Sequence, residues 1–443
     1  MHPTYLSDII ISNYRGIKNL ELSFPIEPGI TILLGDNGVG KTSILEAIAT
    51  GLSGYLEGIP GSSPRNILME DILIHTETLG GASTAIQYAT PTTIYCRGVF
   101  NGEDFEWVRS RELSEGTRGL SSYTNLSSTG GSLRGYSKKL TNDSHATFPV
   151  FGYYSVNRLS PAEHSTTKDV SLLIEKVESK LHDRRNGYAG CLRSSFDKSM
   201  IKAWVLKMDM EHYFQDSIIP EYEAFKKMVC QTMMVMSGLD HPPKLYYSRQ
   251  FRDIVYQESG QPLPISYLSA GYQSLLWLVM DIAFRIALLN PHMGMDMCST
   301  PGIILIDELD KHLHPKWQWN VLQALRDTFP NIQFIVATHS PILISACKDG
   351  QIISIDESHR VTYLDAPYAS AIDNIVELVQ GSTSVPKKVK AYQIKFDCAI
   401  NDGDFDTAEQ ILAQMKEEFG EHNREVQIAS AELNMDYSIF DED

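Results

Sequence analysis

Nine consecutive residues constrain this chain more than any others: Gly35-Asp36-Asn37-Gly38-Val39-Gly40-Lys41-Thr42-Ser43. They fit the spacing G-x-x-x-x-G-K-[ST], which carries meaning only between a strand and a helix. Both flanks are present. Ile30-Thr31-Ile32-Leu33-Leu34 reads as a buried strand, and Ser43-Ile44-Leu45-Glu46-Ala47-Ile48-Ala49 reads as a helix. The glycines let the backbone turn its N–H groups inward around phosphate oxygens. The helix N-terminus adds partial positive charge. Lys41 supplies a full charge for the β- and γ-phosphates, and Thr42 a hydroxyl for Mg²⁺. Asn37, Gly38, Val39, Gly40 and Ser43 complete the expected ATP-binding loop.

The chain has 443 residues, and 43% of them are hydrophobic, enough for a sizeable core. Six cysteines (Cys96, Cys191, Cys230, Cys298, Cys347, Cys398) are scattered without a C-x-x-C pair. That argues against a zinc site or a disulfide framework and fits a reducing cytoplasm. The N-terminus shows no signal-peptide pattern. Leu275 to Leu289 is very apolar but holds Asp281 and Arg285, so it reads as a buried core helix rather than a membrane span. The net charge is −17. Residues 399–443 carry −11 of it, leaving −6 for the rest, so the acidity belongs mostly to the tail. Such a balance does not suggest a general nucleic-acid surface, although the body has room for a local basic groove.

In order, residues 5–26 read as two strands around Arg15-Gly16. Thr93–Phe100 and Glu103–Arg109 form a hairpin about Asn101-Gly102. Glu112 to His145, rich in Ser, Gly, Thr and Asn, reads as a mobile surface loop. Phe148 to Ser155 is a strand candidate ending at Asn157-Arg158. Helical periodicity follows at Val170–Leu181, Trp204–Phe214 and Tyr222–Met236, without sustained heptads. The basic residues there are interleaved with acids, which favours a solvated face over a nucleic-acid site. From 244 to 365 α/β alternation returns: strands at 244–247, 251–257, 302–306 and 331–337, a helix over 317–329, and an edge hairpin at 351–363. Beyond a linker at Gly381–Pro386, the tail reads as one helical hairpin turning at Asp402-Gly403-Asp404, with a further helix over 426–433. One such hairpin buries little by itself.

Three further elements carry chemistry. Ile303-Ile304-Leu305-Ile306-Asp307-Glu308 is a buried strand delivering two carboxylates to its C-terminal end. Asp307 suits Mg²⁺, directly or through water, and Glu308 suits polarisation of an attacking water. His339, after another buried strand, suits a neutral hydrogen-bonding partner of the γ-phosphate or that water. Ser269 is a good N-cap for the apolar helix, and Ser269, Ala270 and Gly271 form a second anion-seeking helix start. The chain already covers its own phosphates with the glycine loop. A second such start makes sense in trans, in a two-fold dimer with two shared ATP sites.

Together the four motifs resemble the ABC-type ATPases of the Rad50/SMC/RecF group: Walker A at Gly35–Ser43, signature at Leu268–Gln273, Walker B at Ile303–Glu308, switch histidine at His339. The resemblance implies an α/β, ABC-type P-loop NTPase head with a β-rich N-terminal lobe, a helical insertion without long coiled coil, and a C-terminal α-helical extension. It divides the chain into 1–165, 166–243, 244–380 and 381–443. The catalytic set would be Glu308, His339 and Lys41, with Thr42 and Asp307 on the metal. Spacing alone leaves Arg15 open between nucleotide contact and solvated turn. Asn13-Tyr14-Arg15-Gly16 resembles an N-terminal element of the group, which favours the former. Asp310 falls where the group has its D-loop. The signature, Leu-Ser-Ala-Gly-Tyr-Gln, departs from Leu-Ser-Gly-Gly-Gln, and Tyr154–Arg158 is the best region for a Q-loop.

Within the group the wording of residues 268–275 and 307–315 is similar to the PtuA ATPases of Septu and retron-associated antiphage systems. That resemblance implies a partner HNH nuclease, a retron reverse transcriptase with its msDNA, assembly beyond a dimer, and contact with nucleic acid mainly through the complex. The acidic tail is the expected docking element, and no membrane is involved. Two other readings compete: a RecF-like DNA repair ATPase that binds DNA directly, and a nucleotide-gated scaffold with little turnover.

Overall fold

The structure is a computed structural model. It describes residues 2–78, 84–112, 121–125, 132–156, 183–193, 197–215, 217–379 and 385–440. The Val170–Leu181 helix, Asn157-Arg158 and most of the 381–386 linker lie outside the described residues. Two units are distinct, Met1–Ala369 and Ser370–Asp443.

The first unit opens with a hairpin, β1 (Tyr5–Tyr14) and β2 (Ile17–Ser23), and then β3 (Ile30–Leu34). There follow β4 (Ile74–Thr78), β5 (Thr84–Tyr88), β6 (Thr92–Phe100), β7 (Glu103–Arg111), β8 (Ser121–Asn125) and β9 (Val150–Tyr154). The later strands are β10 (Lys244–Ser248), β11 (Asp253–Gln257), β12 (Leu263–Pro264), β13 (Gly302–Ile306), β14 (Ile332–Ala337), β15 (Gln351–Ile355) and β16 (Val361–Asp365). The central sheet has the order β16-β15-β3-β14-β13-β9. It is parallel except at its β16 edge. Its strands read as unbroken apolar runs because both faces are covered: β3, β9, β13 and β14 are buried at every position.

A second, antiparallel sheet has the order β2-β1-β6-β7-β8. Here alternation survives, as in β2, where Ile17, Leu20 and Leu22 are buried and their neighbours exposed. The Lys41–Leu56 helix touches both sheets, which explains why it is apolar nearly all round. Trp107 of β7 donates its indole N–H to the Gly51 carbonyl of that helix at 2.8 Å. The Asn101-Gly102 turn between β6 and β7 holds both residues at positive φ, 51° and 83°, as a tight two-residue hairpin requires. Of the Glu112–His145 stretch, residues 113–120 and 126–131 lie outside the described residues. The stretch contributes β8 and a helix, Leu133–Leu140, capped by Ser132, whose side chain accepts from the Gly135 N–H. The helix expected over 317–329 is two pieces, Pro315–Gln318 and Val321–Thr328.

The helices Lys198–Gln215 and Pro220–Ser237 belong to this first unit and pack with Ala270–Leu289. Ala270–Leu289 is, among the described residues, the one helix long and apolar enough to cross a membrane. It is buried along almost its whole length. Its two charges answer each other. Arg285 Nε donates to Asp281 Oδ2 at 2.7 Å, and the same oxygen accepts from the Tyr154 hydroxyl at 2.8 Å. Arg285 Nη1 also donates to the carbonyls of Gly187 and Ala189. The pair therefore ties the helix to β9 and to a neighbouring 3-10 turn.

In the second unit three helices, Lys387–Asn401, Phe405–Phe419 and Arg424–Phe440, enclose one core. It is built from Phe396, Ala399, Ala408, Leu412, Met415, Val426, Ala429 and Leu433. A single hairpin would leave this stripe open. The third helix closes it, with Val426, Ala429 and Leu433 at spacings of three and four.

Candidate nucleotide site

The loop between β3 and the Lys41–Leu56 helix turns at two glycines in the left-handed region, Gly38 (φ 93°) and Gly40 (φ 95°). Side chains there would be strained, and this geometry turns successive amides toward one centre. Lys41 is 8% exposed, and its ammonium donates to the Gly35 carbonyl at 2.7 Å and the Asp36 carbonyl at 3.0 Å. Burial pushes its pKa below the ordinary lysine value, while the carboxylates of Asp307, Asp36 and Glu308 pull the other way. A desolvated cation beside a helix N-terminus is a site for an anion.

Thr42 Oγ1 donates to Asp307 Oδ2 at 2.7 Å. Asp307 directly follows β13, is 2% exposed, and donates its N–H to the Tyr154 carbonyl at 2.8 Å. The hydroxyl and the carboxylate thus stand together where a divalent cation would share them with phosphate oxygens. Among the described residues no cluster of three or more His, Cys, Asp or Glu is ready to hold a metal alone. A hydroxyl and a carboxylate are hard oxygen donors, a pair that would suit Mg²⁺ if it were bound with a nucleotide.

Glu308 follows at φ 44°, a left-handed conformation unusual for a residue with a long side chain. Its carbonyl accepts from the Lys311 N–H at 3.1 Å, and Lys311 Nζ lies 3.9 Å from its Oε2. The side chain remains 42% exposed at the mouth of the site. His339 follows β14, which runs between β3 and β13, so the histidine stands between the phosphate loop and the carboxylates rather than beyond them. Thr338 donates its hydroxyl to Asp310 and accepts from the Ser340 N–H at 3.0 Å. Ser340 Oγ donates to Gln318 Oε1 at 2.6 Å. The segment after Walker B is in this way laced to the histidine turn.

Burial and the nearby Lys41 charge lower the His339 pKa from its usual 6.5, against opposing pulls from Asp310, Glu308 and Asp36. A lowered value keeps the imidazole neutral at pH 7. The acid limb of the kcat/KM profile, which reports free enzyme, is therefore expected below pH 6.5. His339→Gln should abolish that limb. A limb at or above 6.5 that survives the substitution would assign it to another group.

The remaining predicted residues fall differently. Ser269 caps the Ala270–Leu289 helix, its Oγ accepting from the Tyr272 N–H. Ser269 and Ala270 are exposed. Gly271 is buried, and a Cβ there would collide with the His312 carbonyl. The Tyr272 ring meets Trp317 edge-on at 4.2 Å. Gly271 is thus required for close packing within the chain, and the surface that the signature offers outward is Ser269-Ala270. Arg15 departs furthest from expectation. It pairs with Glu46 and, through Nε, with Asp71 at 2.9 Å, and its own N–H donates to the Asp71 carbonyl at 2.7 Å. Arg65 joins Glu46 at 3.1 Å. The Arg15 guanidinium braces the β1–β2 turn against the helix, so a phosphate contact would require these pairs to open. Tyr154, in the expected Q-loop region, is committed to Asp281.

Two features escaped sequence reading. The Thr338–Asp310 bond joins residues with no common pattern. The Tyr154–Asp281–Arg285 network had one visible trace, an acid and a base four residues apart in an apolar helix.

Residues 8–216 match the family model "AAA domain", and residues 206–345 match "AAA domain, putative AbiEii toxin, Type IV TA system". The chain is 27% identical to the "Retron Ec83 probable ATPase" of Escherichia coli, covering 76% of this chain and 68% of that one. It is 26% identical to the "Retron Vc95 probable ATPase" of Vibrio cholerae serotype O1 biovar El Tor (80% and 73% covered). It is 24% identical to the "Septu protein PtuA" of Bacillus thuringiensis (87% of each). With a P-loop site on a parallel sheet, AAA-domain matches and these relatives, the chain is an ATPase, similar in sequence to the retron and Septu PtuA ATPases.

Proposed function

We propose that the chain is the ATP-hydrolysing regulatory subunit of a bacterial antiphage defence complex. The observation that carries the enzymatic part is the Thr42–Asp307 bond, which puts the Walker A hydroxyl on the Walker B carboxylate beside buried Lys41. The relatives' names support the defence part. Lys41 and the loop amides hold the β- and γ-phosphates of ATP, and Thr42 and Asp307 would hold Mg²⁺, which would offset the phosphate charge. Glu308 accepts a proton as the attacking water bonds to the γ-phosphorus and ADP leaves. Neutral His339 orients that water or the γ-phosphate. Ser269 and Ala270 meet the nucleotide of a second copy, so that ATP clamps a two-fold dimer and its loss releases it.

In this reading the clamp controls a bound HNH nuclease, docked through the three-helix unit. A retron reverse transcriptase with its msDNA is a further candidate partner. All six cysteines are free, and Cys96, Cys191, Cys230 and Cys347 are buried, which suits a reducing cytoplasm. The test is a mass determination with ATP·Mg²⁺ on wild type and Glu308→Gln, alone and with a candidate nuclease. The expected result is a dimer or larger assembly that binds the nuclease and loses it when residues beyond 381 are removed. A monomer indifferent to ATP and nuclease that nonetheless retains DNA in a salt-sensitive way would favour direct DNA repair.

A further inference from the structure

The edge hairpin β15–β16 has no place in the mechanism above, yet it touches the phosphate loop at two points. At the loop's first residue, the Ile355 carbonyl lies 2.5 Å from where a Gly35 Cβ would stand, so the loop starts pressed against the end of β15. At its fifth, His359 Nε2 lies 3.2 Å from the Val39 carbonyl oxygen. A carbonyl only accepts, so Nε2 carries the hydrogen and donates.

The hairpin turn is itself built to hold the ring. Asp356 Oδ1 accepts from the N–H groups of Ser358 at 2.8 Å and Arg360 at 2.9 Å. The His359 N–H donates to the Asp356 carbonyl at 2.9 Å. His359 sits at φ 58°, half-buried between an exposed turn and the loop.

We infer that His359 is a positioning residue for the phosphate loop. The Val39 carbonyl and the Gly40 N–H share one planar trans peptide and point in opposite directions. A donor that holds the carbonyl outward therefore aims the Gly40 amide inward, into the anion cradle next to Lys41. Gly40 is at φ 95° with no side chain to restrain it, so an external hold on its peptide limits the conformations lost when phosphate binds. His359 touches neither substrate nor reacting atoms. It acts on affinity through the backbone.

This inference rests on the nucleotide-binding reading, and the experiment separates the two. The full chain is titrated with a fluorescent ATP analogue and Mg²⁺, and kcat and KM for ATP are measured, for wild type, His359→Ala, His359→Gln and Lys41→Ala. His359→Ala is expected to raise Kd and KM about five-fold, the loss that one ordinary hydrogen bond gives. Its kcat should stay within about two-fold and its ligand-free melting temperature close to wild type. His359→Gln, whose amide donates to the same carbonyl, should recover most of the affinity. Wild-type Kd in His359→Ala overturns the inference. So does a loss that falls on kcat, or one that follows a lower melting temperature and is not rescued by Gln. If wild type and Lys41→Ala alike fail to bind nucleotide, the nucleotide-binding reading has failed first.

Discussion

Glu308→Gln is expected to lower the steady-state rate of ATP hydrolysis by about 10²–10⁴-fold, the range a positioned general base contributes. The side chain stands at the C-terminal end of β13, directly after the buried Asp307, at the mouth of the phosphate site. Glutamine keeps its size and can still hydrogen-bond a water, but it cannot take the proton. The groups proposed to bind nucleotide are elsewhere: Lys41 on the Gly35 and Asp36 carbonyls, and Thr42 on Asp307. Affinity for ATP should therefore hold while turnover collapses, and the ATP-bound form should accumulate. Phosphate release at saturating ATP and a parallel binding titration measure the two separately. Lys41→Ala is the opposite control, with binding lost. Wild-type turnover in Glu308→Gln would move the base elsewhere, with His339 the next group to test, because its lowered pKa keeps an unprotonated nitrogen available at neutral pH.

A second large effect is expected far from the nucleotide. Asp281→Ala should destabilise the first unit by about 3–5 kcal/mol, the loss seen when one member of a buried ion pair is removed. Asp281 is 2% and Arg285 6% exposed, so the orphaned guanidinium would have no water to turn to. Its bonds to the carbonyls of Gly187 and Ala189 satisfy hydrogens but do not neutralise charge. The paired replacement Asp281→Leu with Arg285→Met should recover much of the loss, since it removes both desolvated charges together. Tyr154→Phe, which removes one hydroxyl donor from the same carboxylate, should cost about 1 kcal/mol. Urea unfolding followed by tryptophan fluorescence measures all three. A loss under about 1 kcal/mol in Asp281→Ala would mean that solvent reaches Arg285 and the pair is not a structural centre.

Much of the site was legible because its parts are contiguous. Gly35–Ser43 needs only its own glycines, lysine and threonine to declare a phosphate loop, and the strand and helix flanking it are local patterns. Ile303–Glu308 and Ala337–His339 are likewise single runs, apolar where a parallel strand is covered on both faces and polar where it ends. The hairpin at Asn101-Gly102 was readable for the same reason, and so were the helices read over 204–214 and 222–236, which run over Lys198–Gln215 and Pro220–Ser237. Within Glu112–His145, composition did not show the helix Leu133–Leu140, because a cap by Ser132 holds its first turn where no long apolar stripe marks it. Pattern read the tail as one hairpin with a further helix over 426–433, and packing joins that helix to the hairpin in one core through Val426, Ala429 and Leu433.

By itself, then, the sequence determined which chemical groups this protein brings to a nucleotide and which fold class has to carry them. Tertiary structure decided who meets whom. Thr42 reaches Asp307 across 265 residues, and His359 reaches Val39 across 320. The order β3-β14-β13 puts His339 between the loop and the carboxylates. Arg15 turns to Glu46 and Asp71, and Gly271 turns inward to the His312 carbonyl. The reason is physical: a motif is a short-range pattern in one backbone, whereas a pairing depends on strand order, register and packing, which many distant residues set together and no single stretch encodes.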